Sequence, residues 1–164
     1  MGCPPSPRNG GFPDTPSGPG LGLIVGYPGG MSNAFKFLVI DADDDSRILL
    51  ERALLRRFPN CALLECASLG AAFELVRNGP PTAILVHRAD GMDGASAVRE
   101  LRKVFPTLPI VMVSVYDHSR DALAAGATRF LLREDWARTG FLFEELLKSD
   151  ELRGVADAQH AATT

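Results

Sequence analysis

Cysteine, histidine and tryptophan are scarce in this chain: three Cys, three His and one Trp among 164 residues. Cys3, Cys61 and Cys66 form an odd set without C-x-x-C spacing, which excludes a disulfide framework and a zinc ribbon. Cys61 and Cys66 are five apart and fall on opposite sides of any strand. They read as small buried hydrophobes in a reducing compartment. No Lys/Arg run exceeds two residues and the net charge is −3, so the basic footprint of a nucleic-acid binder is missing. The nine Phe and two Tyr are scattered rather than set out as stacking platforms. No apolar run is long enough to span a bilayer, and Leu21–Val25 is too short for a signal sequence. "GPGLG" is no phosphate loop, since no strand precedes it and no helix follows.

What is present divides near residue 34. Residues 1–30 hold seven of the twelve prolines and nine of the sixteen glycines, with Arg8 and Asp14 as the only charges. Such a stretch cannot offset its ordering entropy by burial, so 1–34 is expected to be a disordered tail. Its start, "MGCPPS", fits a myristoylation pattern at Gly2 with Cys3 as a second acyl site, the one route to a membrane that the sequence offers. The whole chain is 46% hydrophobic, enough for one domain with a core, placed at 35–150. Residues 151–164 read as a frayed C-terminal tail.

Apolar runs of strand length alternate with runs of helical period. The strands are expected at "FKFLVI" 35–40, "CALLECA" 61–67, "TAILV" 82–86, "PIVMVSV" 109–115 and "RFLL" 129–132. The third and fourth are nearly all apolar, as when both faces are covered. The first helix is expected from Asp44 to Arg57, with Ile48, Leu49, Leu50, Ala53, Leu54 and Leu55 as its apolar stripe and Pro59 as its stop. A second follows Ser68 and places Leu69, Ala72, Phe73 and Val76 on one face. A third follows Gly94, with Ala97, Leu101 and Val104 inward. A fourth spans Ser119 to Ala125, and the last runs from Thr139 to Lys148 using Phe143, Leu146 and Leu147. This alternation implies an α/β domain: a single five-stranded parallel sheet, doubly wound in the order 2-1-3-4-5, the flavodoxin-like arrangement. Ligands then bind beyond the carboxyl ends of the first and third strands, where the winding reverses. At that edge stand Asp41, His87, Ser114 and Arg133, each ending an apolar run.

Four stretches in this order carry a resemblance: "FLVIDADDDSRILLERAL", "PPTAILVHRADGMDGASAVRELR", "LPIVMVSVYD" and "AAGATRFLLRED". Together, from Phe37 to about Leu147, the chain resembles the receiver domain of bacterial response regulators in two-component (phosphorelay) signal transduction. The resemblance implies an aspartate at the end of the third strand that becomes an aspartyl phosphate. It also implies magnesium bridging that residue and an acidic pair after the first strand. A Ser or Thr on the fourth strand and a Lys on the fifth would hold the phosphoryl group, and an aromatic on the fifth would repack. Carried over, the pattern is degenerate. Asp41 fits the first acid, but Ala42 stands where the second should be. His87 occupies the phosphoacceptor position; counted back from "GMDG", across a loop one residue short and without its usual proline, the position falls on Val86 instead. Ser114 fits the hydroxyl position, Arg133 replaces the Lys, and Phe130 fits the switch aromatic. The span from Ser114 to Gly126 is short by about one helical turn.

Magnesium prefers hard oxygen ligands, so Asp41 alone is a weak ligand for it. Two carboxylates about 5 Å apart without a cation repel by roughly 3 kcal/mol at an effective dielectric near 20, so loss of the metal and loss of an acid go together. The expected function is therefore an atypical, non-enzymatic receiver that lacks the phosphoacceptor Asp, needs no cofactor and acts through protein–protein interaction. The alternative is a working receiver with magnesium and displaced acids: Asp43, Asp44 or Asp45 for the missing ligand, Asp90 or Asp93 for the acceptor. Against it, acids at 43–45 suit a helix N-terminus, and Asp93 suits a cap. A third class, an unrelated enzyme on the same fold, has no motif in its favour. His87 as an imidazolium paired to Asp41 would give the pocket a built-in cation, and Arg133 is a second candidate partner for Asp41. Phe130 and Tyr116 read as core, and Trp136 as a partly exposed contact residue. The expected partner is a protein, a histidine kinase or an output protein, on the face made by the fourth helix, fifth strand and fifth helix, with a homodimer as a further form. The expected location is the cytoplasm.

Overall fold

The structure, a computed structural model, describes residues 24–25 and 35–161. The strands are β1 Ile24–Val25, β2 Lys36–Ile40, β3 Ala62–Cys66, β4 Ala83–Val86, β5 Ile110–Ser114 and β6 Arg129–Leu132. The helices are α1 Asp44–Arg57, α2 Leu69–Leu75, α3 Gly94–Val104, α4 Ser119–Ala125 and α5 Thr139–Ala161, with a 3-10 turn at Arg133–Arg138 before the last. One sheet runs β1-β3-β2-β4-β5-β6. The five strands β2 to β6 are parallel in the expected order 2-1-3-4-5. The sixth was not expected: Ile24 and Val25, inside the predicted tail, pair antiparallel with β3.

The side chains of β2 sort by parity. Leu38 and Ile40 join Ile84, Val86, Ile110 and Met112 beneath the α2, α3 and α4 layer. Phe37 and Val39 join Leu85, Val111, Leu131, Leu50, Leu54 and Phe143 beneath α1 and α5. Alternation with period two sends successive residues to opposite faces, so one strand feeds two cores. Each fully buried Leu or Phe contributes roughly 1.5–3 kcal/mol. Phe37 anchors the second core, its ring 5.0 Å from Phe58 and 5.4 Å from Phe143.

Helix ends follow their caps. Asp43 accepts from the Ser46 amide, Ser68 from Ala71 and Asp93 from Ser96, each satisfying an otherwise free first-turn donor. Gly126 ends α4 in the left-handed region at φ 106°, where a side chain is disfavoured. Three apolar positions differ from expectation. Ile48 is exposed because α1 buries Ser46, Leu50, Ala53 and Leu54, a narrower stripe. Val104 is exposed too; Val98 completes the buried face of α3 and Phe105 at its C-cap closes the core. Tyr116, read as core, lies in the loop after β5 and is 74% exposed. The last helix continues past Lys148 to Ala161, through most of the segment read as a frayed tail. Gly2 and Cys3 lie outside the described residues.

Candidate functional site

The register of the sheet builds the site. Ile40 pairs with Val86, so the next residues along, Asp41 and His87, stand abreast where the strands end. The ladder runs on past the strands: the His87 amide donates to the Ile40 carbonyl, the Asp41 amide to Cys66 and the Ala42 amide to Arg88, each at 3.0 Å. Asp41 is fully buried. Its Oδ2 is 3.0 Å from His87 Nδ1, and its Oδ1 accepts from the Asp43 amide at 3.1 Å. An ionised carboxylate only accepts, so in a contact with ionised Asp41 the His87 Nδ1–H is the donor. The imidazole thus occupies the space in front of the Asp41 carboxylate.

Arg47 was missed by the sequence reading. From the first turn of α1 its guanidinium donates to the Asp41 carbonyl at 2.5 Å and pairs with Asp44. The signal was available: a cation at a helix N-terminus opposes the helix dipole and calls for a local acceptor. Gly94 was also missed as a site residue. A Cβ there would stand 2.4 Å from the His87 carbonyl oxygen and 2.8 Å from Met112 Cε, so the loop after β4 closes only over a glycine.

The remaining candidates do not converge on Asp41. Ser114, on β5, accepts from the Tyr116 amide at 3.4 Å. It lines a cleft of about 360 Å³ between α3 and α4, together with Arg88, Met112, His118 and the edge of His87. Arg133 opens the 3-10 turn rather than ending β6. Its charge acts on Asp43, and among the described residues no hydrogen bond joins it to Asp41, so the Arg133–Asp41 pairing is not formed. Asp43 is held below the usual carboxylate range by the Ser46 amide, with help from Arg133 and Arg88. Asp44 is taken by Arg47, and Asp45 is an exposed acid in the first turn of α1. Asp90 sits exposed at the tip of a two-residue turn closed by Ala89 and Met92, with Gly91 at φ 71°, and its amide reaches across to Ala67. Asp93 is held low by the Ser96 amide and hydroxyl as it caps α3. Phe130 is half-buried against the first core, and Trp136 leans on the second.

This donor set does not fit magnesium. Both oxygens of Asp41 are engaged, Ala42 offers no ligand, and the group facing Asp41 is a nitrogen donor. Among the described residues no three His, Cys, Asp or Glu side chains are grouped to hold a metal ion. Cys61 and Cys66 are buried free thiols, pushed up by desolvation to about 11 and about 12, hence unreactive. Among the described residues no helix is long and apolar enough to cross a membrane.

A parallel 2-1-3-4-5 sheet with polar residues at its switch edge defines a doubly wound, flavodoxin-like α/β domain. No protein-family model matches the chain, and no curated protein matches it either. Solved structures do match. The signal receiver domain of the response regulator NarL from Mycobacterium tuberculosis is 25% identical, covering 71% of this chain and 98% of that one, with a TM-score of 0.61. The receiver domain of the histidine kinase CKI1 from Arabidopsis thaliana is 25% identical over 70% of this chain and 90% of that one, TM-score 0.60. A CheY-like response regulator receiver domain protein from Methanospirillum hungatei is 19% identical over 73% and 98%, TM-score 0.59. The chain has the fold of response-regulator receiver domains and is similar to them over about 70% of its length.

Proposed function

We propose that the chain is an atypical receiver, a cytoplasmic signalling module rather than an enzyme, that forms no aspartyl phosphate, uses no magnesium and acts by binding a protein. The observation that carries this reading is the contact between His87 and the buried Asp41. The imidazole fills the place of both the acceptor carboxylate and the cation, and it satisfies the acid with a proton donor instead of a metal. The partner surface is the face of α4, β6 and α5. There Leu123 and Phe141 are exposed, and Phe130, Leu132, Arg138, Phe141 and Glu145 border a cleft of about 350 Å³. Apolar side chains rimmed by charges are the composition of a protein-binding patch. A histidine kinase or an output protein of the same pathway is the partner in this reading, with self-association as a second use of the face.

The test is incubation with acetyl phosphate and magnesium, read by intact mass, with hydroxylamine as the chemical check. The expected result is no hydroxylamine-labile phosphoryl adduct and no heat of magnesium binding. An adduct on Asp90 or any other carboxylate, formed only with magnesium, would overturn the reading.

A further inference from the structure

The sheet has an edge on the side away from the α4 face, and the chain itself covers part of it. Hydrogen-bond parity on β3 shows which groups face outward. The Ala62 amide donates inward to the Phe35 carbonyl, and the Cys66 carbonyl accepts inward from the Asp41 amide. Even-numbered residues of β3 therefore point their backbone groups at β2, and Leu63 and Glu65 point theirs outward. Val25 stands opposite Leu63 and Ile24 opposite Leu64. The Val25–Leu63 pair is thus the one that exchanges backbone hydrogen bonds, and among the described residues no strand partner faces Glu65 from outside.

β3 has none of the usual protections of an edge. It is "ALLEC", with no Pro, no Lys and no bulge. Its one charge, Glu65, is half-buried, and desolvation together with Glu51 pushes its pKa up. The covering piece comes from "LGLIV", the apolar run of a segment otherwise rich in Gly and Pro, flanked by "GPG" and "GYPGG". Nine residues, 26–34, separate Val25 from Phe35. Extended, they reach up to about 30 Å, enough for the run to serve its own β3 or that of a neighbour.

We propose that the outer edge of β3 is a strand-addition site for the identical apolar run of a second copy of this chain, and that Ile24–Val25 is a short guard on it which that run displaces. Addition of an extended strand to a sheet edge draws its affinity from main-chain hydrogen bonds, and a two-residue pairing supplies few, so the guard is displaceable. The site is on the opposite edge of the sheet from β6 and does not depend on the state of the Asp41–His87 pocket.

The test uses the full chain carrying Val25→Pro, which removes one of the two main-chain groups facing Leu63. Amide hydrogen exchange reads the result residue by residue. The Leu63 amide is expected to exchange several-fold faster than in the unaltered chain, while Leu64, bonded toward β2, stays unchanged and excludes global loosening. A synthetic peptide of residues 19–27, "PGLGLIVGY", is expected to restore Leu63 protection, and its scrambled counterpart is not. Sedimentation of the unaltered chain at rising concentration is expected to show self-association that the same peptide suppresses and that Val25→Pro abolishes. An unchanged Leu63 rate would overturn the proposal, as would faster exchange that neither peptide slows.

Discussion

Replacing His87 with Asp puts a second carboxylate beside Asp41, and the structure says what that costs. The imidazole Nδ1 is 3.0 Å from Asp41 Oδ2. A carboxylate on the shorter side chain would bring a second negative charge to roughly 4–5 Å from the first. At an effective dielectric near 20 that repulsion is about 4 kcal/mol. His87→Asn removes the imidazole without adding charge and is expected to cost about 1–2 kcal/mol, the worth of a partly buried hydrogen bond. Both variants lose the imidazole, so the difference between them, about 4 kcal/mol, isolates the charge. Urea denaturation at neutral pH reads it, at moderate and at high salt, because a buried pair is screened little. Adding Ala42→Asp to His87→Asp should deepen the loss in the absence of divalent ions and make stability rise with magnesium, since a ligand that binds only the folded state stabilises it by mass action. The unaltered chain should show no such rise. An Asp variant as stable as the Asn variant would refute the reasoning, because it would mean that the pocket disperses the charge of Asp41 without His87.

Arg102→Met should cost about 2–3 kcal/mol by thermal or urea denaturation, because the guanidinium donates to the Gly126, Phe105 and Leu108 carbonyls and to Thr128 Oγ1 at 2.6–3.0 Å; Arg102→Lys should not rescue it, since an ammonium cannot span the four. Gly94→Ala should destabilise by about 2 kcal/mol and shift the His87 ring resonances, because the new methyl meets the His87 carbonyl and Met112; unshifted resonances would show that the loop yields elsewhere. Glu65→Gln should raise the melting temperature at neutral pH and leave it unchanged in acid. The folded-state titration of Glu65 is raised by burial and by Glu51, so its stabilising contribution is fully present below the unfolded value, near 4.3, and is lost as pH rises through the folded one.

The parallel sheet was legible because each strand is a compact apolar run and each helix has a wide stripe and a clear stop. α1 begins at its Asp43 cap and stops before Pro59, and α4 stops at Gly126. The Asp41–His87 contact was legible for a related reason: residues that end neighbouring parallel strands in register must lie side by side. Periodicity did not settle which edge of a wide stripe is covered. Ile48 and Val104 belong to apolar faces by count, yet they project beyond what the sheet covers.

By itself the sequence determined the order of elements and the two alternating core faces, because these depend on neighbours along the chain and on residue type. Only the tertiary structure decided that Arg47 ties α1 to the Asp41 carbonyl, that Arg133 serves Asp43 rather than Asp41, and that Ile24 and Val25 lie on β3. Those choices rest on distances between segments far apart in the chain, set by sheet register and by the room left between packed layers, which local propensity does not encode.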